Sequence, residues 1–279
     1  MPLRARIALC LEHFGFVRRR LTSESILEKT YQVVGGSTRT HDYDDAWILA
    51  LGFDSRVVFD VGCNVGQSTL LLLHSASVEQ VVLIDPNPAA LAIAAENLIR
   101  NGLSPRARFV CAFASETTGA NVILHTIGTG SAGSMYATHA KTASTLGQSI
   151  RVPTTSLDQL SQYFSLHPDL VKVDVEGAEH LVLKGATAVA SRQTTRFLVE
   201  MHSSQELSMR DNAARIIGWC GDNGYRAWYL KEKCELSGEE MIASRGRCHL
   251  LLLPAAMPFP EYLIHLEQGA PLEKVRRPG

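Results

Sequence analysis

The sequence predicts a doubly wound α/β domain: a seven-stranded, mostly parallel sheet, helices on both faces, and an antiparallel hairpin near the C-terminus. Three observations predict it. Short β-rich runs alternate with helical stretches from residue 57 onward. Those runs read as buried on both faces, as parallel strands covered by crossover helices are. The first run passes into its helix through a D-x-G-x-N-x-G turn, Asp60 to Gly66.

The elements follow in order. Val57–Val61 is a strand and Val65–His74 its helix. Val81–Asp85 is the second strand. Pro88–Asn101 is a helix with Gly102 as C-cap. Arg108–Ala112 is the third strand, and Asn121–His125 a short edge strand. Residues 126–149, rich in Gly, Ser, Thr and Ala, suggest a loop over a pocket. Thr155–Phe164 reads as a helix, Leu170–Asp174 as the fourth strand and Ala178–Leu183 as the helix after it. Phe197–Met201 is the fifth strand and Glu206–Asp222 a long helix. Tyr225–Leu230 and Cys248–Leu253 then form the hairpin around a polar stretch. Residues 41–279 make one domain. Residues 1–40 read as a helical extension, with Ser23 capping a helix through Ile26–Val33 that Gly35 and Gly36 end. Asp42–Leu51 is a short helix beside the site's mouth.

A chain of 279 residues can bury a large core. A net charge of -1 argues against a nucleic-acid partner, whose phosphates require an excess of Lys and Arg. No CxxC pair occurs among the six cysteines, so they read as free thiols in a reducing compartment. No apolar run reaches the roughly 18–20 residues that span a bilayer. Ile7–Leu11 is short for a secretory core, while the Arg-rich first twenty residues leave a transit peptide open. The expectation is a cytoplasmic protein without a membrane partner. Unassigned sheet-edge helices and the N-terminus leave room for a homodimer.

The turn carries the first chemistry. Gly62 and Gly66 remove side chains where a nucleoside and its amino-acid tail must approach backbone. Asp60 can accept hydrogen bonds from an ammonium or from the turn. The pattern is not the G-x-G-x-x-G of dinucleotide binders. Asp85, 25 residues after Asp60, closes the second strand, where a carboxylate can take both ribose hydroxyls. Pro86 keeps it out of helical geometry. Asn87 starts the next helix and is grouped with the nucleoside-binding residues. On the fourth strand, alternation puts Lys172, Asp174 and Glu176 on one side. Glu200 and His202 share a face at the end of the fifth. His202 is a candidate general base, with Glu200 orienting it or pairing with Lys172. Asp174, Glu176, Glu200 and His202 could hold a hard divalent metal, although the sequence does not require one.

These segments resemble the FkbM family of S-adenosylmethionine (SAM)-dependent methyltransferases. The resemblance rests on VVFDVGCNVGQSTL at 57–70, VVLIDPNP at 81–88, TTSLDQL at 154–160, LVKVDVEGAEHLVLKGA at 170–186 and FLVEMH at 197–202. It implies a Rossmann-like class I methyltransferase fold, SAM as cofactor, and methylation of a hydroxyl on a sugar, polyketide or other natural product. Carried over, Asp60, Gly62, Asn64 and Gly66 hold the methionine part of SAM, Asp85 the ribose, and Ala112 and Phe113 lie near the adenine. Asp174 and Glu176 face donor and acceptor. With His202 they form the candidate catalytic set. Asp85 stands where the family often has Glu. A small-molecule or glycan acceptor is expected. An N- or C-methyltransferase acting on a peptide, a nicotinamide oxidoreductase and a non-catalytic SAM-fold partner protein are the competing readings.

Overall fold

The computed structural model describes residues 20–35, 37, 42–125, 149–203 and 207–277. The expected pocket loop at 126–149, except Ser149, the first 19 residues, Gly36 and Glu206 lie outside them.

The helix expected through Ile26–Val33 is a β-hairpin instead. Strands β1 (Leu21–Ile26) and β2 (Lys29–Val34) pair antiparallel around Leu27, whose φ is +50°. The reason lies in residue type and spacing. Thr22, Thr30 and Val33 are β-branched, and Tyr31 and Val33 alternate inward. The hairpin is bound to the body of the protein: Val34 N donates to Asn97 Oδ1 at 2.8 Å. Ile26, Tyr31 and Val33 share a core with Trp47 and Leu70.

Next come α1 (Asp45–Phe53), β3 (Val57–Val61), α2 (Gln67–His74), β4 (Gln80–Ile84), α3 (Pro88–Arg100) and β5 (Ala107–Val110). Asn87 caps α3, its Oδ1 accepting from Ala89 N at 3.0 Å. Gly102 follows at φ +67°, as the sequence predicts. The short edge strand belongs to a separate sheet of β6 (Phe113–Ala114), β7 (Asn121–His125) and β8 (Ser149–Thr155). β8 is absent from the sequence reading, which begins a helix at Thr155. That helix, α4 (Leu157–Phe164), starts after Ser156, whose Oγ accepts from Gln159 N.

The chain continues through β9 (Leu170–Val173), α5 (Glu179–Lys184), α6 (Thr187–Ser191), β10 (Arg196–His202), α7 (Met209–Asn223), β11 (Tyr225–Tyr229), β12 (Cys234–Glu235) and β13 (Arg247–Pro254). The main sheet has eight strands, ordered β12-β11-β13-β10-β9-β3-β4-β5. Seven match the expectation, and the two-residue β12 adds an edge. β5, β4, β3, β9 and β10 are parallel; β13 inserts antiparallel between β10 and β11. Alternation divides the core. Val58 and Leu170 face α1, α2 and α3, while Phe59, Val61, Val171 and Val173 face α4, α5 and α7. From β3 the chain winds first toward β4 and β5, then back to β9 and β10. Ligands in such sheets bind beyond the strand tips at this switch point.

Candidate active site

A cavity of about 540 Å³ opens at the carboxyl ends of β3, β4, β5, β9 and β10. Its floor is the β3–α2 turn. Gly62 has φ +77°, and a Cβ there would lie 1.8 Å from the Asp174 carbonyl oxygen. Gly66 has φ +84° and abuts Ala94 of α3, with 3.0 Å to a hypothetical Cβ. The Asp174 backbone thus demands a glycine at 62, while at 66 the left-handed φ and the tight contact with Ala94 favour one. Gly62 and Asn64 line the cavity; Gly66 does not.

Asp60 also stands apart from the expected cofactor contact. It is fully buried beneath the cavity on the α2 side. Its Oδ2 accepts from Ser68 Oγ at 2.7 Å and Thr69 Oγ1 at 2.6 Å. Lys172 Nζ lies 3.8 Å from its Oδ1. Asp60 therefore ties α2 to β3 and supplies charge below the site.

Asp85 and Asn87 do line the cavity. Asp85 accepts from Asn64 N and Asn87 N, each at 2.8 Å. Burial raises its pKa to about 6 against those two bonds. Ala112 and Phe113 form the wall beside it, both buried.

The opposite wall holds Lys172, Asp174, Glu176 and Glu200. Lys172 is buried and sits 3.2 Å from Asp174 Oδ2. It pairs with Asp174 and Asp60, while Arg247 Nη1 takes Glu200 Oε1 at 2.9 Å. Burial would lower the Lys172 pKa, but Asp174 and Asp60 raise it, so the ammonium is retained. Burial pushes Asp174 up to about 6, Lys172 opposing and Glu200 adding to the rise. β9 ends at Val173, so Glu176 reaches the same wall through a bend, not strand alternation. Glu176 and Gly177 have φ of +52° and +101°, a left-handed pair that costs free energy at Glu176.

Glu179 holds that bend. It is fully buried. Its Oε1 accepts from Gly177 N and meets His202 Nδ1, each at 2.9 Å, and its Oε2 accepts from Asn212 Nδ2 at 2.9 Å. His202 Nε2 then points toward Glu200 Oε1 at 3.5 Å, Glu176 Oε2 at 3.8 Å and Asp174 Oδ1 at 3.9 Å. Burial alone would lower the His202 pKa. Its hydrogen bonds to Glu179 and Glu200 outweigh burial and lift it to about 11. These carboxylates favour the protonated ring, and His202 does not line the cavity.

Sequence reasoning missed Glu179 as an anchor, and it missed Asp44, Arg247 and His249. His249 lies within an apolar strand, a local signal that a buried polar function is present. Glu200 is held below the usual carboxylate range: burial would raise it, but contacts with His202 and His249 prevail. His249 is pushed the other way, to about 9, Asp44 and Glu200 outweighing its burial.

No helix of the described residues is long and apolar enough to cross a membrane. The sequence profile of the methyltransferase FkbM domain matches residues 60–227. No curated protein matches the chain. Among solved structures it is similar to the methyltransferase FkbM of Methylobacillus flagellatus (18% identity, TM-score 0.45), over 71% of this chain and 44% of that one. The chain thus spans less than half of that protein. It is also similar to an O-methyltransferase from Bacillus cereus in complex with SAH (15% identity, 77% and 82% of the two chains, TM-score 0.44). A third is a SAM-dependent methyltransferase from Agrobacterium tumefaciens (13% identity, 85% and 70%, TM-score 0.47). With more than half its length matched by the domain, the chain belongs to the FkbM family of SAM-dependent methyltransferases.

Proposed function

We propose that the chain methylates a hydroxyl oxygen of a small-molecule or glycan acceptor, with Asp174 as the proton acceptor. One observation carries the reading: Asp85, the Gly62–Asn64 turn and Asp174 converge on a single cavity at the switch point. The cavity fits SAM. Asp85 presents a buried carboxylate at a strand tip, the position that binds ribose hydroxyls in related sheets. Gly62 leaves backbone bare for the amino-acid tail, and Ala112 and Phe113 offer an apolar wall to the adenine. When bound, SAM supplies a methyl group on a sulfonium.

The protein's own residues do the rest. Asp174, with a pKa of about 6, is largely ionised at neutral pH and weakly enough held to take a proton. Lys172 fixes its orientation from below. His202, already protonated, positions Asp174, Glu176 and Glu200 instead of acting as the base. Positioning two reactants in one closed site supplies much of the acceleration. Asp60 and Gly66 support the turn from behind. We further propose that the enzyme is cytoplasmic and homodimeric.

The test is calorimetric titration with SAM, followed by incubation with methyl-labelled SAM and fractionated small-molecule extract. SAM binding and label transfer to an oxygen are expected. Asp174→Asn is expected to bind SAM and lose about 10²–10⁴-fold in turnover. A chain that ignores SAM overturns the reading, and unchanged turnover in Asp174→Asn removes that residue from the chemistry.

A further inference from the structure

Among the described residues, the buried imidazole of His249 is left without a hydrogen bond at either ring nitrogen. His249 lies on β13 opposite Glu200 of β10, a cross-strand pair on one face of the sheet. Its side chain is 2% exposed, yet neither Nδ1 nor Nε2 has a hydrogen-bond partner. Buried polar groups are almost always satisfied, so an exception requires a cause. Trp47 of α1 packs edge-on against the ring at 5.5 Å and fixes its plane. The same helix presents Asp44 from its N-cap position.

The geometry around Nε2 indicates what is missing. Asp44 Oδ2 and Glu200 Oε2 each lie 3.6 Å from it. That is too long for an N–H···O bond, and it is the same on both sides. The three ligand atoms all lie within 4.8 Å of one another. Two ligands of a tetrahedral ion with bonds of about 2.1 Å are about 3.4 Å apart. An octahedral ion of the same bond length separates neighbours by about 3.0 Å, a poorer match. Glu200 keeps Oε2 available because Arg247 occupies its Oε1 at 2.9 Å. That outer partner orients the Glu200 carboxylate, as hydrogen-bonding neighbours orient the ligands of metal sites. Asp44 and Glu200 line the cavity while His249 stands behind them, so the fourth position faces the cavity.

We infer that Asp44, Glu200 and His249 form a site for one tetrahedral divalent ion of the zinc type, with its open position toward the acceptor. An imidazole with two carboxylates suits zinc or cobalt better than magnesium, which prefers oxygen alone, and the ion replaces the proton that Asp44 and Glu200 otherwise hold on the ring. The site differs from the set Asp174, Glu176, Glu200 and His202, from which it takes only Glu200. In the methyl-transfer reading the ion polarises the acceptor oxygen; that role rests on the proposed function, whereas the binding itself does not.

The experiment uses the full chain, stripped with chelator, and Co²⁺ as probe, with Zn²⁺ as competitor. One Co²⁺ per chain is expected, giving the strong visible absorption of a tetrahedral N/O site and displaced by Zn²⁺. Losing an outer partner alone costs about 10–100-fold in metal affinity. His249→Ala and Asp44→Asn, each removing a direct ligand, are therefore expected to weaken Co²⁺ binding by at least about 100-fold. His202→Ala is expected to keep it. Circular dichroism verifies folding of each variant. If His249→Ala does not fold, Asp44→Asn and the shifted ring protons of a Co²⁺-bound histidine in the unmutated chain decide. Absence of Co²⁺ and Zn²⁺ binding overturns the inference and leaves the triad as a proton-bridged ion cluster. So does binding that survives loss of His249 and Asp44, or that depends on His202 instead. SAM titration of the same samples separates failure of the ion site from failure of the methyltransferase reading.

Discussion

Replacing Glu179 with Ala is expected to destabilise the fold by about 3–5 kcal/mol. The carboxylate meets three partners at once: Gly177 N, His202 Nδ1 and Asn212 Nδ2, all at 2.9 Å. It is fully buried, so bulk solvent does not share these hydrogen bonds. Removing one partner of a buried charged pair costs about 3–5 kcal/mol because the other charge stays desolvated. Each neutral donor left bare costs about 1–3 kcal/mol more at most, and the costs overlap because the site relaxes. Glu179→Gln keeps the shape and one acceptor oxygen but turns an N–H toward one of three donors, so a loss of about 1–3 kcal/mol is expected. Urea unfolding followed by circular dichroism measures both. The His202 ring, read by NMR titration, is expected to release its proton at lower pH in either variant, since its hydrogen bond to Glu179 is a principal support of the raised pKa. A loss below about 1 kcal/mol in Glu179→Ala, with the His202 titration unmoved, refutes the anchor.

Other consequences are equally direct. Gly62→Ala must push Asp174 O away from a Cβ now 1.8 Å distant. It is expected to abolish SAM binding and to cost well over the roughly 1–2 kcal/mol of a left-handed residue, whereas Gly119→Ala, at φ +87° with nothing within 4 Å, is expected to cost only about that much. Parallel urea melts compare them. Asp85→Ala is expected to weaken SAM binding about 10–100-fold in calorimetry, equivalent to losing a charged hydrogen bond. Asp174 and Asp85, raised from 3.8 to about 6, bind protons more tightly when folded. Their stabilisation is complete below pH 3.8 and lost as pH rises through about 6. Asp85→Asn should flatten that fall in unfolding free energy measured against pH, and an undiminished fall would count against the shift. For His202, raised from 6.5 to about 11, stabilisation is present below 6.5 and disappears up to about 11, so His202→Gln should melt with less alkaline sensitivity.

The cofactor half of the site was legible because its signals are local. The Asp60–Gly66 turn, Asp85 before Pro86 and the Asn87 cap each sit within a few residues of a strand tip. Strand alternation and turn chemistry suffice to aim them. Asp60 was expected to accept from an ammonium or from the turn, and strand alternation could not show that Ser68 and Thr69 of the following helix would enclose it. The hairpin β1–β2 was misread because Gly35 and Gly36 after Val33 imitate a helix stop. Only docking on Asn97 of α3 reveals that the segment is extended. β8 was hidden behind the Ser156 cap of the next helix, a strong signal that drew the preceding residues into the wrong element.

The cluster of Asp44, Glu200 and His249 was less legible, and for a physical reason. Asp44, Glu200 and His249 come from α1, β10 and β13, and their meeting depends on β13 entering the sheet antiparallel beside β10. No short motif encodes that insertion. Its register, Glu200 against His249, is fixed by apolar pairing along the rest of both strands, where Phe197 meets Leu252 and Val199 meets Leu250. A shift of one residue would exchange the buried face for its opposite and turn His249 away from the carboxylates. The hydrophobic core therefore sets which polar groups meet at this end of the cavity: the contacts that close the sheet also bring His249 against Glu200. The motifs that carry the family resemblance end at residue 202, before the strand that brings His249 to Glu200.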